Sequence, residues 1–211
     1  MSRTQKYLLG GLLCLIICLG GYMFYQAQKL KSPTYALTMA QTAVQKHDWL
    51  GVNEHMDLDA LYGQVFEEVI VPSLQKRNNG VISDVVRDII GKMEGGFIST
   101  MVAYTKSLVE AKDKKTVTPP VHVFAKRFLG QSHLQYCRLG ALEEATTDGV
   151  TATVKGSIDN SLLEQSFPVE LVLKKFPDGT WKLVKINNLP QLLTNMEKAQ
   201  EEKLTVLNKP L

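Results

Sequence analysis

Cysteine is scarce in this chain, with three in 211 residues. Cys14 and Cys18 fall in the opening segment, so Cys137 stands alone in the rest. One cysteine cannot close an intramolecular disulfide, and the folded part must hold by burial alone. A lone cysteine in an apolar strand pattern reads as a small buried hydrophobe. A charge excess is also missing. The chain has 24 Lys+Arg against 21 Asp+Glu. Without Arg3 and Lys6 the balance is 22 against 21, which excludes the strongly basic surface of a nucleic-acid groove. The densest basic stretch, Lys112 to Lys115, contains Asp113 and reads as a solvated linker. Catalytic fingerprints are lacking too: there is no G-x-S-x-G, H-E-x-x-H, phosphate loop or dinucleotide motif. Ser99, Ser107 and Ser132 have no recognisable base partner, and no cofactor is expected.

A long uncharged run is present. Residues 7–25 read YLLGGLLCLIICLGGYMFY. At ~1.5 Å per helical residue, such a run spans a hydrocarbon core of roughly 30 Å. A cleaved signal has a shorter apolar centre and a small-x-small exit. Here the nearest exit, Ala27, has Tyr25 two residues before it. Leu-Leu before Cys14 and Ile-Ile before Cys18 do not suit lipidation. The expectation is an uncleaved anchor in the lipid bilayer. Arg3 and Lys6 favour a cytoplasmic N-terminus, against the weaker pull of Lys29 and Lys31. That places a single-pass protein in the cytoplasmic (inner) membrane with its domain outside. Tyr22, Phe24 and Tyr25 suit an interfacial belt. Gly10, Cys14 and Cys18 share one helical face and could bring two anchors together as a homodimer, although small residues are common in anchors.

The expected organisation is an N-terminal stub at 1–6, an anchor at 7–25, a linker at 26–31, one domain at 32–203 and a tail at 204–211. Within the domain, helices occupy 32–130, a sheet 131–190 and a charged terminal helix 191–203. Ser32-Pro33 opens the first helix, with serine as cap and proline in the first turn. That helix should end near His47-Asp48, with Trp49 turning back onto the core. Asp57 caps a second helix over about 58–75, which Pro72 should kink or end. Asn78-Asn79-Gly80 is a break. Ile82 to Leu108 then shows helical periodicity, with Gly95-Gly96 a possible division into two helices. Thr118-Pro119-Pro120 leads a short helix ending at Gly130.

After Gly130 the texture turns strand-like. Asp148-Gly149, Asp159-Asn160 and Asp178-Gly179 mark turns. Val150, Ala152, Val154 and Gly156 alternate with polar residues, as do Phe167, Val169, Leu171 and Leu173. Trp181, Leu183 and Ile186 belong to a last strand. Helices followed by strands imply an α+β fold, with several helices on one face of a roughly four-stranded antiparallel meander. The layout is analogous to the cystatin-like and nuclear-transport-factor-two-like cones, an analogy that says little about function.

Ser32-Pro33-Thr34-Tyr35, the alanine-bearing helix to His47-Asp48, Asp57-Leu58-Asp59-Ala60-Leu61 and Thr118-Pro119 together resemble a bacterial family catalogued as domain of unknown function 2939. The resemblance covers most of residues 30–190, and the segment from Val81 to Glu110 departs from it. It implies an N-terminal membrane segment and no assigned activity, so it carries over no catalytic residue.

The densest set of possible metal ligands is His47, Asp48, His55, Asp57 and Asp59. A catalytic zinc site takes about three protein ligands, but this spacing matches no metal motif. Asp48 and Asp57 sit where helix caps are needed. His122 and His133 are isolated, and Tyr104, Tyr136 and His133 are the only acid–base candidates for a cone pocket. Trp49 and Trp181 suit the core. The reading favoured by the residues is a non-enzymatic extracytoplasmic domain that binds an envelope protein or lipid. A small-molecule enzyme or ligand-binding protein with a pocket between helices and sheet is the alternative, and a metal-binding sensor is a third reading.

Overall fold

The computed structural model describes residues 32–77, 84–113, 117–118, 128 and 136–207. The run at 7–25, the linker, the Gly10, Cys14 and Cys18 face, the break at 78–80, the expected helix after Thr118, and His122 and His133 lie outside them. Within them the chain is α+β, with helices packed against an antiparallel sheet.

Helix α1 is Pro33–Gln45. Ser32 caps it by accepting the Tyr35 N–H at 3.1 Å, and Pro33 occupies its first turn. Ala36, Leu37, Ala40 and Ala43 form its buried stripe. The chain reverses at His47, whose φ of 59° is left-handed. A short helix follows that the sequence reading did not anticipate: α2, Trp49–His55. Asp48 therefore begins a helix as well as following one. Its carboxylate accepts the Gly51 N–H at 3.0 Å. Trp49 sits on α2, half-buried against the core.

Helix α3, Leu58–Val65, is capped by Asp57 as expected, with Ala60 N–H donating at 3.1 Å. The rod neither ends nor breaks at Pro72. It passes through a π-helical turn, Phe66–Ile70, into α4, Val71–Arg77. A proline inside an α-helix removes one i→i−4 bond and crowds the preceding turn. Here the turn before Pro72 is already wide, and Val71 N–H reaches back five residues to Phe66 O.

Helix α5 runs unbroken from Asp84 to Glu110, 27 residues. Gly95 and Gly96 do not divide it. Both are exposed, and each costs about 1 kcal/mol relative to alanine. Burial of the adjacent Phe97 (0% exposed) and Met101 (1% exposed) outweighs that, since one fully buried apolar side chain contributes roughly 1.5–3 kcal/mol. Ile89 was expected inward but is exposed, and Ile90 takes the buried position.

Strands β1 (Cys137–Leu142), β2 (Thr146–Thr147), β3 (Thr151–Asn160), β4 (Gln165–Lys175) and β5 (Trp181–Ile186) make one sheet in the order β1-β3-β4-β5, with β2 also paired to β3. All pairings between strands are antiparallel. Ala152, Val154, Phe167, Val169, Leu171, Leu173, Trp181 and Leu183 face the helices and are buried. The opposite face is polar: Lys155 pairs with Glu170 at 3.7 Å, and Ser166 Oγ donates to Asp159.

Two expectations shift at the turns. Val150 is not part of a half-buried strand but stands in the turn, 59% exposed. Asn160 ends β3 rather than making the turn, and is buried. Its Oδ1 accepts the N–H groups of Leu162 and Leu163 at 3.0 Å each.

Helix α6, Leu189–Leu207, starts earlier and ends later than expected. Leu189, Leu192, Met196 and Ala199 recur at spacings of three and four and lie buried. Lys203 fastens its far end, donating to Leu162 O at 2.8 Å and pairing with Glu164 at 3.1 Å. The apolar interior forms two clusters. One lies between the sheet, α1, α3 and α6. The other gathers Val65, Phe66, Ile70, Ile90, Phe97, Met101, Phe128 and Leu189.

Candidate functional site

The His47–Asp59 stretch is distributed among structural duties. His47 Nδ1 hydrogen-bonds Val109 O at 2.8 Å, tying the turn after α1 to the end of α5. Asp48 and Asp57 each cap a helix. Asp59 is exposed in the first turn of α3. His55, half-buried, has its Nδ1 shielded from solvent without a hydrogen-bond partner. Among the described residues no group of three or more His, Cys, Asp or Glu side chains could hold a metal ion.

The acid–base candidates are likewise apart in the fold. Tyr104 lies on α5 and is half-buried, whereas Tyr136 precedes β1 and is exposed. The neighbouring Tyr62 has its phenol pushed above the ordinary tyrosine range, first by burial. Thr105 Oγ1 donates to Met101 O at 2.9 Å, so Tyr62 is the donor in its short bond to Thr105. The Cys137 thiol is also raised by burial, and it accepts from Asn160 Nδ2 at 3.5 Å. A raised thiol pKa disfavours the thiolate that nucleophilic chemistry requires.

The space between helices and sheet is filled by the apolar side chains of the two clusters. The concave features are at the surface, and the best built lies along the seam between α3 and β5. Met56 bridges Leu183 in parallel fashion, and Asp57 N–H donates to Leu183 O at 2.9 Å. One helical turn further on, the Gln64 side chain meets both backbone polar groups of Ile186. These contacts close the edge of β5, which would otherwise offer unpaired backbone to another chain. Lys182 Nζ adds a bond to Asn53 O at 2.9 Å. Beyond the end of β5, Asn188 does the same for β4: its Oδ1 accepts Glu170 N–H at 2.9 Å and its Nδ2 donates to Pro168 O at 3.0 Å.

Two open hollows flank this seam. One, about 300 Å³, is lined by Ala60, Gly63, Gln64, Glu67, Glu68, Val184 and Lys185. The other, about 180 Å³, is lined by Glu68, Val69, Phe128, Pro190, Leu193, Thr194 and Glu197. Glu68, in the π turn, borders both. Its carboxylate accepts Gln64 Nε2 at 3.0 Å and pairs with Lys185 at 3.4 Å. An ion pair beside apolar side chains can recognise a complementary surface by charge and contact. No serine, cysteine or histidine lines either hollow to supply a nucleophile or shuttle a proton. The sequence reading missed this seam because a glutamine and a glutamate inside a helix carry no signal of their partners more than a hundred residues away.

No protein-family model, curated protein or solved structure matches this chain. No described helix is long and apolar enough to cross a membrane; the 7–25 run lies outside the described residues.

Proposed function

We propose that this protein is a single-pass, membrane-tethered domain outside the cytoplasm that binds an envelope protein or lipid without transforming it. The observation that carries the reading is the uncharged run at 7–25 directly ahead of a folded body. The body supports a binding role. Its interior is occupied by apolar side chains, its helix-capping carboxylates are engaged, and its hollows are shallow and rimmed by an ion pair. The cone analogy extends only to helices laid on a curved antiparallel sheet. The family resemblance implies a membrane segment and no assigned activity, in keeping with this reading.

Cell fractionation tests the tether. Full-length protein is expected in the membrane fraction after alkaline washing, with its C-terminal domain open to protease added outside the cytoplasmic membrane. Recovery of soluble mature protein lacking the opening residues would overturn the reading. The binding role is tested separately. Photo-crosslinking amino acids placed at Val184 and Glu197, on the rims of the two hollows, should capture a discrete envelope component in cells. Turnover of a small molecule by the purified chain in an unbiased screen would refute the non-enzymatic part.

A further inference from the structure

Strands β3, β4 and β5 carry five lysines: Lys155, Lys174, Lys175, Lys182 and Lys185. Lys155 and Lys185 are ion-paired, with Glu170 and Glu68. The other three have no described carboxylate within ion-pair distance. They cluster where β4 and β5 meet their connecting turn. Lys175 Nζ stands over the Trp181 ring at 5.8 Å and Lys182 Nζ over Phe176 at 5.3 Å. The Gly149-Val150 turn lies alongside, since Lys175 N–H donates to Val150 O at 2.7 Å. Between the two turns is an open hollow of about 490 Å³, lined by Gly149, Val150, Lys174, Lys175, Phe176 and Pro177.

The apolar residues here are at the tips. Val150 is 59% exposed and Pro177 is also exposed. Two acids share this end, Asp148 and Asp178, and both are bound to their own turns. Asp148 Oδ1 accepts from Thr151 N–H at 2.6 Å and Val150 N–H at 2.8 Å. Asp178 Oδ1 accepts the Thr180 hydroxyl at 2.6 Å and its N–H at 2.9 Å. Three cations on stems held against aromatic rings thus surround two protruding apolar turns. Such stems lie along apolar surface while the charged ends reach polar groups. Apolar tips ringed by lysines fit the boundary between acyl chains and phosphate headgroups.

We propose that this end of the sheet docks on an anionic phospholipid bilayer. Val150 and Pro177 enter the headgroup boundary, and Lys174, Lys175 and Lys182 meet the phosphates. This goes beyond the tether, because it assigns a second lipid contact to the folded body itself.

Hydrogen–deuterium exchange on the full-length chain tests it. The protein is reconstituted into phosphatidylcholine vesicles, or into equal parts phosphatidylcholine and phosphatidylglycerol, with excess empty vesicles of the same lipid. Peptides covering residues 146–153 and 174–182 should exchange more slowly in the anionic mixture than in phosphatidylcholine. Molar salt, with a Debye length of roughly 3 Å, should remove the difference. Each lysine contributes about fivefold to docking on an anionic surface, so K174Q/K175Q/K182Q should weaken it on the order of a hundredfold and abolish the protection. Because those lysines also touch aromatic rings, Val150→Glu at an exposed tip is the independent variant, and it should abolish protection equally. Equal exchange in both lipids, with the chain floating with the vesicles, would overturn the docking proposal and leave the tether standing. A chain that floats with neither vesicle would overturn both.

Discussion

Gln64 is joined to Ile186 through both polar atoms of its side-chain amide. Nε2 donates to the Ile186 carbonyl at 2.6 Å, and Oε1 accepts the Ile186 N–H at 2.9 Å. These are the two bonds that an adjacent strand would have supplied. The second Nε2 proton goes to Glu68, so this buried amide is fully satisfied.

Gln64→Ala removes both bonds and leaves a half-buried backbone donor and acceptor without partners. Each such loss costs about 1–3 kcal/mol, so the expected loss of stability is on the order of 2–4 kcal/mol by chemical denaturation. Gln64→Glu keeps the acceptor for the Ile186 N–H but faces its carbonyl with a second oxygen and places a charge near Glu68. It should also destabilise at neutral pH and should recover as the introduced carboxyl is protonated. Wild-type stability in either variant would mean that the edge of β5 does not depend on this side chain.

Asp48→Ala and Asp57→Ala each delete a helix cap, a change that costs about 0.5–2 kcal/mol. Both should lower the melting temperature, and neither effect should depend on zinc. If added zinc raised the wild-type melting temperature and failed to do so in these variants, the stretch would be a metal site after all.

Gly156 pairs with β1 at the bulge between Leu139 and Leu142. A Cβ there would sit 2.5 Å from the Ala141 carbonyl oxygen and 2.9 Å from Leu142 Cδ2. Backbone cannot yield as a flexible side chain does. Gly156→Ala should therefore destabilise, by about 1–3 kcal/mol as for other overpacked sites, despite alanine's lower unfolded-state entropy. Loss of the Cys137–Leu142 pairing would be visible as faster amide exchange in β1.

Asp148 is held below the ordinary carboxylate range by the N–H groups of Thr151 and Val150, and Asp178 by the hydroxyl and N–H of Thr180. A depressed folded-state pKa stabilises above the unfolded value of roughly 3.9, and the contribution is lost as pH falls through the folded value. Both carboxylates are fully exposed, so the effect should be local. Acidification below about pH 4 should speed amide exchange of Thr151 and Thr180 before global unfolding. Asp148→Ala and Asp178→Ala should show fast exchange at these sites already at neutral pH, with no acid step.

What the sequence made legible follows from local chemistry. Ser32 and Asp57 announce their helices because a cap is a three-residue interaction. Asp148-Gly149 and Asp178-Gly179 announce turns because each glycine has a positive φ, 94° and 86°. The alternation from Phe167 to Leu173 follows from one buried and one wet sheet face. The failures arise where distant packing decides. Gly95-Gly96 looked like a break because the burial of Phe97 and Met101 is invisible locally. Helix α2 has seven residues, too few for a periodic stripe. In the candidate site, the caps of the His47–Asp59 stretch were legible. The Gln64, Glu68 and Lys185 seam was not, since its partners meet only once α3 lies along β5.

The π turn ahead of Pro72 has an effect beyond tolerating a proline. Widening the coil for one turn rotates everything that follows about the rod's axis, so the side that looks inward changes partway along. Leu58 and Leu61 serve one interior, while Phe66 and Ile70 serve the other. A single rod that belongs to both obliges them to loosen together, and the domain should melt in one step rather than two.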